Sequence, residues 1–155
     1  MATLLEDINT YSDWIIQAFA ADQLKLDHSI QSFIEIDKFF NKHVKDGKAV
    51  EGGRFTQNRG AILFSLGAYV GQTIIKNVPG SEWITDDNDP QGEVTATLQL
   101  PDGMHLFPMQ RMIKRFQDGP EDAIYPYGYT LTSKYTGQPF DRSFWQIMSD
   151  NEKKD

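Results

Sequence analysis

Residues 59–77 read RGAILFSLGAYVGQTIIKN, a mainly apolar stretch that predicts a buried helix. Thr56 or Asn58 can begin the helix, because short polar side chains accept hydrogen bonds from the free amides of a first turn. Pro79-Gly80 then ends it. A small antiparallel sheet, predicted further along the chain, is expected to pack against this helix.

Gly67 and Gly71 lie within the predicted helix, separated by three residues. A dinucleotide-binding loop needs three glycines between a strand and a helix, and a phosphate-binding P-loop ends in Gly-Lys-Ser/Thr. Neither pattern is present, so no cofactor is expected. Glycine costs about 1 kcal/mol relative to alanine inside a helix, which predicts that a neighbouring element approaches closely here and compensates.

Two helices are predicted before this stretch. Apolar residues recur at helical spacing over residues 3–20, which indicates an amphipathic helix. Asp27 or Ser29 can cap a second helix. That helix is expected to stop near Asp46-Gly47, where glycine tolerates a left-handed end, and a loop is expected to continue to residue 55.

Charged side chains on two helices are interpreted mainly as solvated faces. Glu35 and Asp37 belong to the second helix and are expected to face water. Arg111 and Arg115 lie one helical turn apart with Lys114 beside them, so they could hold an anion or an acidic surface. We favour a solvated helix face, or pairing with the acidic loop at residues 86–93.

Residues 93–100, EVTATLQL, alternate between polar and apolar side chains, which predicts a strand with one buried face. Residues 101–103, Pro-Asp-Gly, have the composition of a turn. Trp83-Ile84 is expected to form another short strand before the acidic loop. Together these segments predict a small antiparallel sheet with a central hairpin.

Two registers are possible for the hairpin. A two-residue turn at Asp102-Gly103 would set Leu100 against His105. A three-residue turn with a left-handed glycine would set Leu98 against Leu106. The second register keeps apolar side chains opposite each other, so we expect it.

Beyond the hairpin, Pro108 opens a helix that Gly119-Pro120 closes. A short helical turn is expected over residues 121–125, limited by Pro126. The C-terminal segment is too rich in aromatic residues to remain free, and it is expected to dock on the body of the protein through Phe140, Phe144 and Trp145.

These elements predict an α+β fold, with mostly N-terminal helices packed on a small antiparallel sheet with a central hairpin, then a C-terminal helix and a docked tail. A chain of 155 residues suits one domain. Residues 1–150 are assigned to that domain and residues 151–155 to a disordered tail.

The composition argues against several classes of protein. No cysteine is present, so disulfides, thiolate nucleophiles and cysteine-bound zinc are excluded, which suits the cytoplasm. Acidic residues interrupt the N-terminal apolar stretch, and no apolar run approaches the roughly 18 residues that span a bilayer, so neither a secretory signal nor a membrane partner is expected. The net charge of −7 disfavours nucleic acid as a partner.

The negative charge is concentrated in residues 77–110, which contain no Lys or Arg and carry −6 of the −7. Asp86, Asp87, Asp89 and Glu93 are therefore predicted to bind a protein partner with a basic surface. A merely solvated turn is the alternative. A calcium loop is not expected, because an EF-hand reading that begins at Asp87 has leucine at the twelfth position, where glutamate is needed.

Tyrosines cluster between residues 125 and 135. Tyrosine combines a large apolar ring with a polar tip and suits interfaces, so Tyr127 and Tyr129 are assigned to the same partner-binding site. The alternative is a loop held on the core by its own rings, and both interpretations stay open. The three histidines are far apart and form neither an HxH nor an HExxH pattern, so no metal and no catalytic residue are assigned.

Four segments resemble a bacterial protein family: LDHSIQSFIEIDKFF at 26–40, GAYVGQTI at 67–74, Trp83, and FPMQRMIKRFQDGPEDAI at 107–124. Members carry an LDxS helix that ends in an apolar residue and Asp, a GAYxGE helix, a tryptophan and a P-x-KR-x3-G-x-D segment. That family has no assigned activity, so the resemblance implies a compact bacterial α+β domain and no catalytic residue. Gln72 stands where the family usually has an acid, and any catalytic role of that acid would be missing here.

Two classes of function remain. A small, acidic, cysteine-free chain without catalytic motifs favours a protein-interaction module, such as an immunity or antitoxin protein that neutralises a basic partner. The alternative is an enzyme or small-ligand-binding protein whose site is assembled only in three dimensions. A pocket in which His28 or His105 meets arginine and carboxylates would favour the alternative.

Overall fold

The computed structural model describes the backbone of residues 2–153 and the side chains of residues 2–150. Within these residues the chain forms an α+β fold of helices with two small antiparallel sheets. The α-helices are α1 Leu4–Ala21, α2 Phe33–His43, α3 Arg59–Asn77, α4 Gly92–Thr95, α5 Pro108–Asp118, α6 Ile124–Thr136 and α7 Ser143–Lys153. The strands are β1 Val44–Lys45, β2 Lys48–Ala49, β3 Glu82–Ile84, β4 Thr97–Gln99 and β5 His105–Leu106.

Helix α3 is the centre of the fold. Twelve of its residues are buried, and α1 and α5 pack along it. A helix that is apolar over most of its surface needs partners on several sides, and the burial of α3 supplies them. The predicted helices at 3–20, 59–77 and 108–118 are therefore confirmed, and the second predicted helix corresponds to α2.

The two glycines of α3 are packing residues. A Cβ at Gly67 would lie 2.8 Å from the Cα of Met109 in α5, and a Cβ at Gly71 would overlap the indole ring of Trp83 in β3. Both contacts lie within one chain, so the predicted close approach is confirmed, with a helix at one glycine and the sheet at the other. The indole Nε1 of Trp83 then donates to Gln72 Oε1 at 2.9 Å.

The larger sheet has the order β3-β4-β5 and is antiparallel throughout. Leu98 lies opposite Leu106, and the Leu100 amide donates to the Met104 carbonyl at 2.8 Å. Gly103 has φ of +90°, a conformation that glycine adopts without strain. The three-residue turn is therefore the correct register, and the short strand predicted at Trp83-Ile84 is confirmed as part of β3.

The strand predicted over residues 93–100 is only partly correct. Residues 92–95 form the single helical turn α4, and the strand β4 begins at Thr97. Only the second half of the alternating pattern faces the core, with Ala96, Leu98 and Leu100 buried. Gly92 favours the turn because its missing side chain lets the Leu4 side chain and the Asp86 carbonyl pack against it.

The loop predicted after the second helix contains a second, smaller hairpin. Helix α2 ends at His43, and β1 and β2 pair with Val44 opposite Ala49. Asp46 and Gly47 form its two-residue turn, with φ of +53° and +75°. Asp-Gly at both positive-φ positions is a strong hairpin signal, so the expectation that Asp46-Gly47 simply ends a helix was wrong.

The short helical turn predicted over residues 121–125 is partly correct: residues 120–122 form a 3-10 turn, but the longer helix α6 then begins at Ile124. It runs for 13 residues and contains Pro126 at its third position. Amides in the first turn of a helix have no intrahelical partner, so proline costs no helical hydrogen bond there. The predicted docked tail is helix α7, Ser143–Lys153, which buries Phe144 and Met148. The assignment of residues 151–155 to a disordered tail stays a prediction. Residues 154 and 155 lie outside the described residues.

Two charged residues assigned to solvated helix faces are buried. Asp37 of α2 is fully excluded from solvent and pairs with Arg115 of α5, which is also buried. Glu35 is partly exposed and pairs with Lys38. Arg111 and Lys114 approach Asp122, between α5 and α6, rather than the acidic loop. The interpretation as a solvated face was therefore wrong for Asp37 and Arg115.

Candidate functional site

Two segments without Lys or Arg carry most of the negative charge. Residues 77–110 carry −6, as the sequence indicates, and residues 1–24 carry −4 through Glu6, Asp7, Asp13 and Asp22. The rest of the chain carries +3. The acidic character of the protein therefore comes entirely from these two segments.

The fold brings the two segments into contact. The amide of Leu4, at the start of α1, donates to Asp87 Oδ1 at 2.8 Å, and the Leu4 side chain packs on Gly92. Two acids of the first turn of α1, Glu6 and Asp7, thereby join the acidic loop. We call the resulting set the acidic surface; its members are Glu6, Asp7, Asp86, Asp87, Asp89 and Glu93.

Three of the predicted aspartates stabilise local structure. Asp86 Oδ1 accepts from the Asn88 amide at 2.9 Å, which fixes a tight turn. Asp89 accepts from the Gln91 amide and the Thr95 hydroxyl, and these bonds lower the pKa of its carboxyl. Asp87 holds the loop to α1. Each of these three carboxylates therefore already accepts a hydrogen bond from within the chain.

The other carboxylates of the acidic surface are available to a partner. The side chains of Glu93 and Asp7 form no hydrogen bond or ion pair with another described residue, and the Glu6 carboxylate accepts only from the Thr3 hydroxyl at 3.3 Å. Glu93 is exposed and Asp7 is half-buried. These three side chains can pair with cations without breaking backbone contacts.

Exposed apolar side chains accompany the acids. Leu5, in the first turn of α1, is 45% exposed, and Ile84, two residues before Asp86, is 42% exposed. Interfaces commonly combine a small apolar centre with a charged rim. The two segments without Lys or Arg therefore supply both the apolar and the charged side chains that such an interface needs.

The structure does not place the two predicted tyrosines alike. Tyr127 lines a groove together with Val94 and Arg111 and is not shown in contact with any acid of the acidic surface. Burial raises the pKa of Tyr127 to about 12, and Arg111 lies over its ring at 4.4 Å. Tyr129 packs edge-on against Phe140 at 5.1 Å, as in a segment held on the core by its rings.

The three histidines belong to separate environments. His43 Nδ1 accepts from the Arg54 amide at 3.1 Å, His28 stacks on Tyr69 with ring centroids 5.3 Å apart, and His105 is exposed on β5. Over residues 2–150, no group of three or more His, Asp or Glu side chains is arranged to hold a metal ion. None of the described helices combines the length and the apolar character needed to cross a membrane.

Sequence reasoning missed Glu6 and Asp7 as members of the acidic surface. A signal was available, because residues 1–24 lack Lys and Arg just as residues 77–110 do. Their contact with the acidic loop was not predictable, because it depends on the hydrogen bond between Leu4 and Asp87, which are 83 residues apart.

Comparison of the chain with protein-family models, with curated proteins and with solved structures gives no match.

Proposed function

We propose that this protein binds a basic protein through the acidic surface and neutralises it, as an immunity or antitoxin protein does. The observation that carries the proposal is the contact between the two cation-free segments, which together hold −10 while the rest of the chain is net positive. A charge distribution of this kind favours encounter with a partner of the opposite sign and disfavours nucleic acid.

The carboxylates of Asp7 and Glu93, which have no partner among the described residues, and that of Glu6, which has only the Thr3 hydroxyl, support a binding role. Side chains already bonded within the chain must lose those bonds before they can pair with a Lys or Arg, whereas free carboxylates lose only water. Charge complementarity of this kind mainly accelerates association and selects the partner, while apolar contacts such as Leu5 and Ile84 add affinity.

The proposal is tested with two variants of equal charge. The first, Glu6→Gln/Asp7→Asn/Glu93→Gln, removes three charges from the acidic surface without touching its backbone contacts. The second, Glu51→Gln/Asp118→Asn/Glu121→Gln, removes three exposed charges elsewhere. Each variant and the wild type are immobilised and used to capture proteins from native lysate.

We expect the wild type and the second variant to capture one basic protein in stoichiometric amount, and the first variant not to capture it. When expressed alone, that partner should arrest growth, and co-expression of the wild-type protein should restore it. Equal retention by both variants would contradict a role for the acidic surface. A captured partner that is harmless when expressed alone would contradict the neutralising role.

A further inference from the structure

A groove of about 610 Å³ lies between α5, β5 and α6, with α4 at one edge. Two cationic side chains, Arg111 and Lys114, line the groove together with His105. The remaining wall is mainly apolar and is formed by Val94, Leu106, Phe107 and Ile113. The groove is distinct from the acidic surface, although Val94 follows Glu93 directly.

Arg111 and Arg115 lie one turn apart on α5, but only Arg115 uses its hydrogen-bond donors. Arg115 donates to Asp37 Oδ1 at 3.0 Å and to Asn41 Oδ1 at 2.9 Å. The side chain of Arg111 donates no hydrogen bond to any described residue, and its Nε is buried without a partner. A guanidinium carries five N–H donors in a fixed fork, so this group retains its capacity to bind an oxyanion.

Arg111 is nevertheless held in place. Its guanidinium lies 4.4 Å above the ring of Tyr127, in a cation–π arrangement. The nearest carboxylate, that of Asp122, is 3.7 Å from Arg111 Nη2 and 3.8 Å from Lys114 Nζ, beyond hydrogen-bond length in both cases. The cation is therefore oriented by an aromatic ring and left without a direct hydrogen-bonding anion.

The apolar wall determines the rest of the ligand. Leu106 is buried, Val94 and Ile113 are half-buried, and Phe107 is 42% exposed. A free inorganic anion would leave these side chains in contact with water, whereas an organic anion covers them. Ligand sites commonly combine an apolar lining with a few polar groups that fix orientation, and this groove has that composition.

From this geometry we infer that the groove binds a small organic anion, whose carboxylate or phosphate pairs with the guanidinium of Arg111 and whose apolar body lies against Val94, Leu106 and Ile113. Lys114 adds a second positive charge beside the oxyanion. The inference concerns a small-ligand site and stands independently of the proposed partner of the acidic surface.

The test is an NMR chemical-shift titration of the full chain, observing backbone amides and the side-chain Nε–H of Arg111. The probes are benzoate, phenyl phosphate and benzamide, the last being a neutral analogue of benzoate. We expect both anions to shift the groove amides and the Arg111 Nε–H, and to bind at least about tenfold more tightly than benzamide. The anion that binds more tightly shows whether the groove prefers a carboxylate or a phosphate.

Substitutions of Arg111 test whether the N–H donors of its guanidinium bind the anion. Arg111→Gln should weaken benzoate binding at least about tenfold. Arg111→Lys keeps the charge but not the bidentate geometry, so its affinity for benzoate should lie between those of the wild type and Arg111→Gln. Arg142→Gln, which removes an exposed arginine outside the groove, should leave binding unchanged. Equal binding of benzoate and benzamide by the wild type, or shifts confined to residues outside the groove, would overturn the inference whether or not the variants fold.

Discussion

Asp37 of α2 and Arg115 of α5 form an ion pair that is excluded from solvent, with Arg115 Nε donating to Asp37 Oδ1 at 3.0 Å. The same carboxylate accepts from the amides of Ile124 at 2.8 Å and Tyr125 at 2.9 Å, which are the first two residues of α6. Burial raises the pKa of the Asp37 carboxyl, while Arg115 and the two amides act in the opposite direction. One side chain therefore joins three helices.

Replacing Asp37 by Asn should destabilise the fold by about 3–5 kcal/mol, because Arg115 would remain buried without a counter-charge. The two α6 amides would also lose an ionised acceptor. Urea unfolding followed by circular dichroism measures the change in the free energy of unfolding.

Glu35→Gln is the matched control on the same helix. Its ion pair with Lys38 is partly exposed, so the loss should stay below about 1 kcal/mol. A similar loss for both variants would show that burial does not set the strength of the Asp37 contacts.

Replacing Gly71 by Ala should destabilise the protein by about 1–3 kcal/mol, because the new methyl group would overlap the Trp83 ring and displace β3. Thermal unfolding measures the loss, and the near-ultraviolet circular dichroism of Trp83 should change with it.

Gly60→Ala, in the same helix, is the control for backbone propensity. Apart from the adjacent residues and the backbone of its own helix, nothing lies within 4 Å of a Cβ placed at Gly60, so alanine should stabilise the helix by up to about 1 kcal/mol. Opposite signs for the two substitutions support close packing at Gly71. A stabilised Gly71→Ala protein would exclude it.

Acidification should weaken the fold through His43. Burial lowers the pKa of His43 below its ordinary value, with Lys42 and Arg54 acting in the same direction and Asp22 opposing them. The unfolded chain therefore binds a proton near pH 6.5 that the folded chain resists. The stability contributed by neutral His43 is present above that pH and is lost as the pH falls.

Urea unfolding between about pH 7.5 and 5.5 measures this slope, in a range where most carboxylates stay ionised. His43→Gln should flatten the slope, because glutamine does not titrate. Part of the slope should remain, since burial also lowers the pKa of His28. An unchanged slope in His43→Gln would rule out the assignment.

Removing the carboxylate of Asp87 should detach the acidic loop from α1. Asp87→Ala loses the acceptor for the Leu4 amide, at a cost of about 1 kcal/mol. Hydrogen exchange of the Leu4 amide should accelerate. Glu93→Gln, which breaks no bond to a described residue, should change stability by less than about 0.5 kcal/mol and leave that exchange rate unchanged.

The elements that the sequence predicts well are those whose signals are local. Gly67 and Gly71 indicate close packing because an unfavourable residue inside a helix requires a compensating contact, and the register of Leu98 with Leu106 follows from matching apolar side chains. In both cases the relevant information lies within a few residues.

Long-range contacts limited the prediction elsewhere. Asp37 resembles an ordinary solvated helix acid until residues 115–125 fold over it, 78 to 88 positions later. In the sequence alone, Pro126 favours a turn at the position where α6 begins. The hydrogen bonds of Ile124 and Tyr125 to Asp37, which stabilise the first turn of this helix, are seen only in the structure. Residues 92–95 alternate like a strand, yet the packing of Leu4 on Gly92 favours a helical turn.

The Asp37 carboxylate also constrains how the chain can fold during biosynthesis. While residues beyond 114 are still on the ribosome, the carboxylate has neither its cation nor the two amides, and burying it alone would cost several kcal/mol. We therefore expect α2 to reach its buried position only after Arg115, Ile124 and Tyr125 have been made. The ion pair and the two amide bonds thus make the docking of α2 against α5 and α6 a late step of folding.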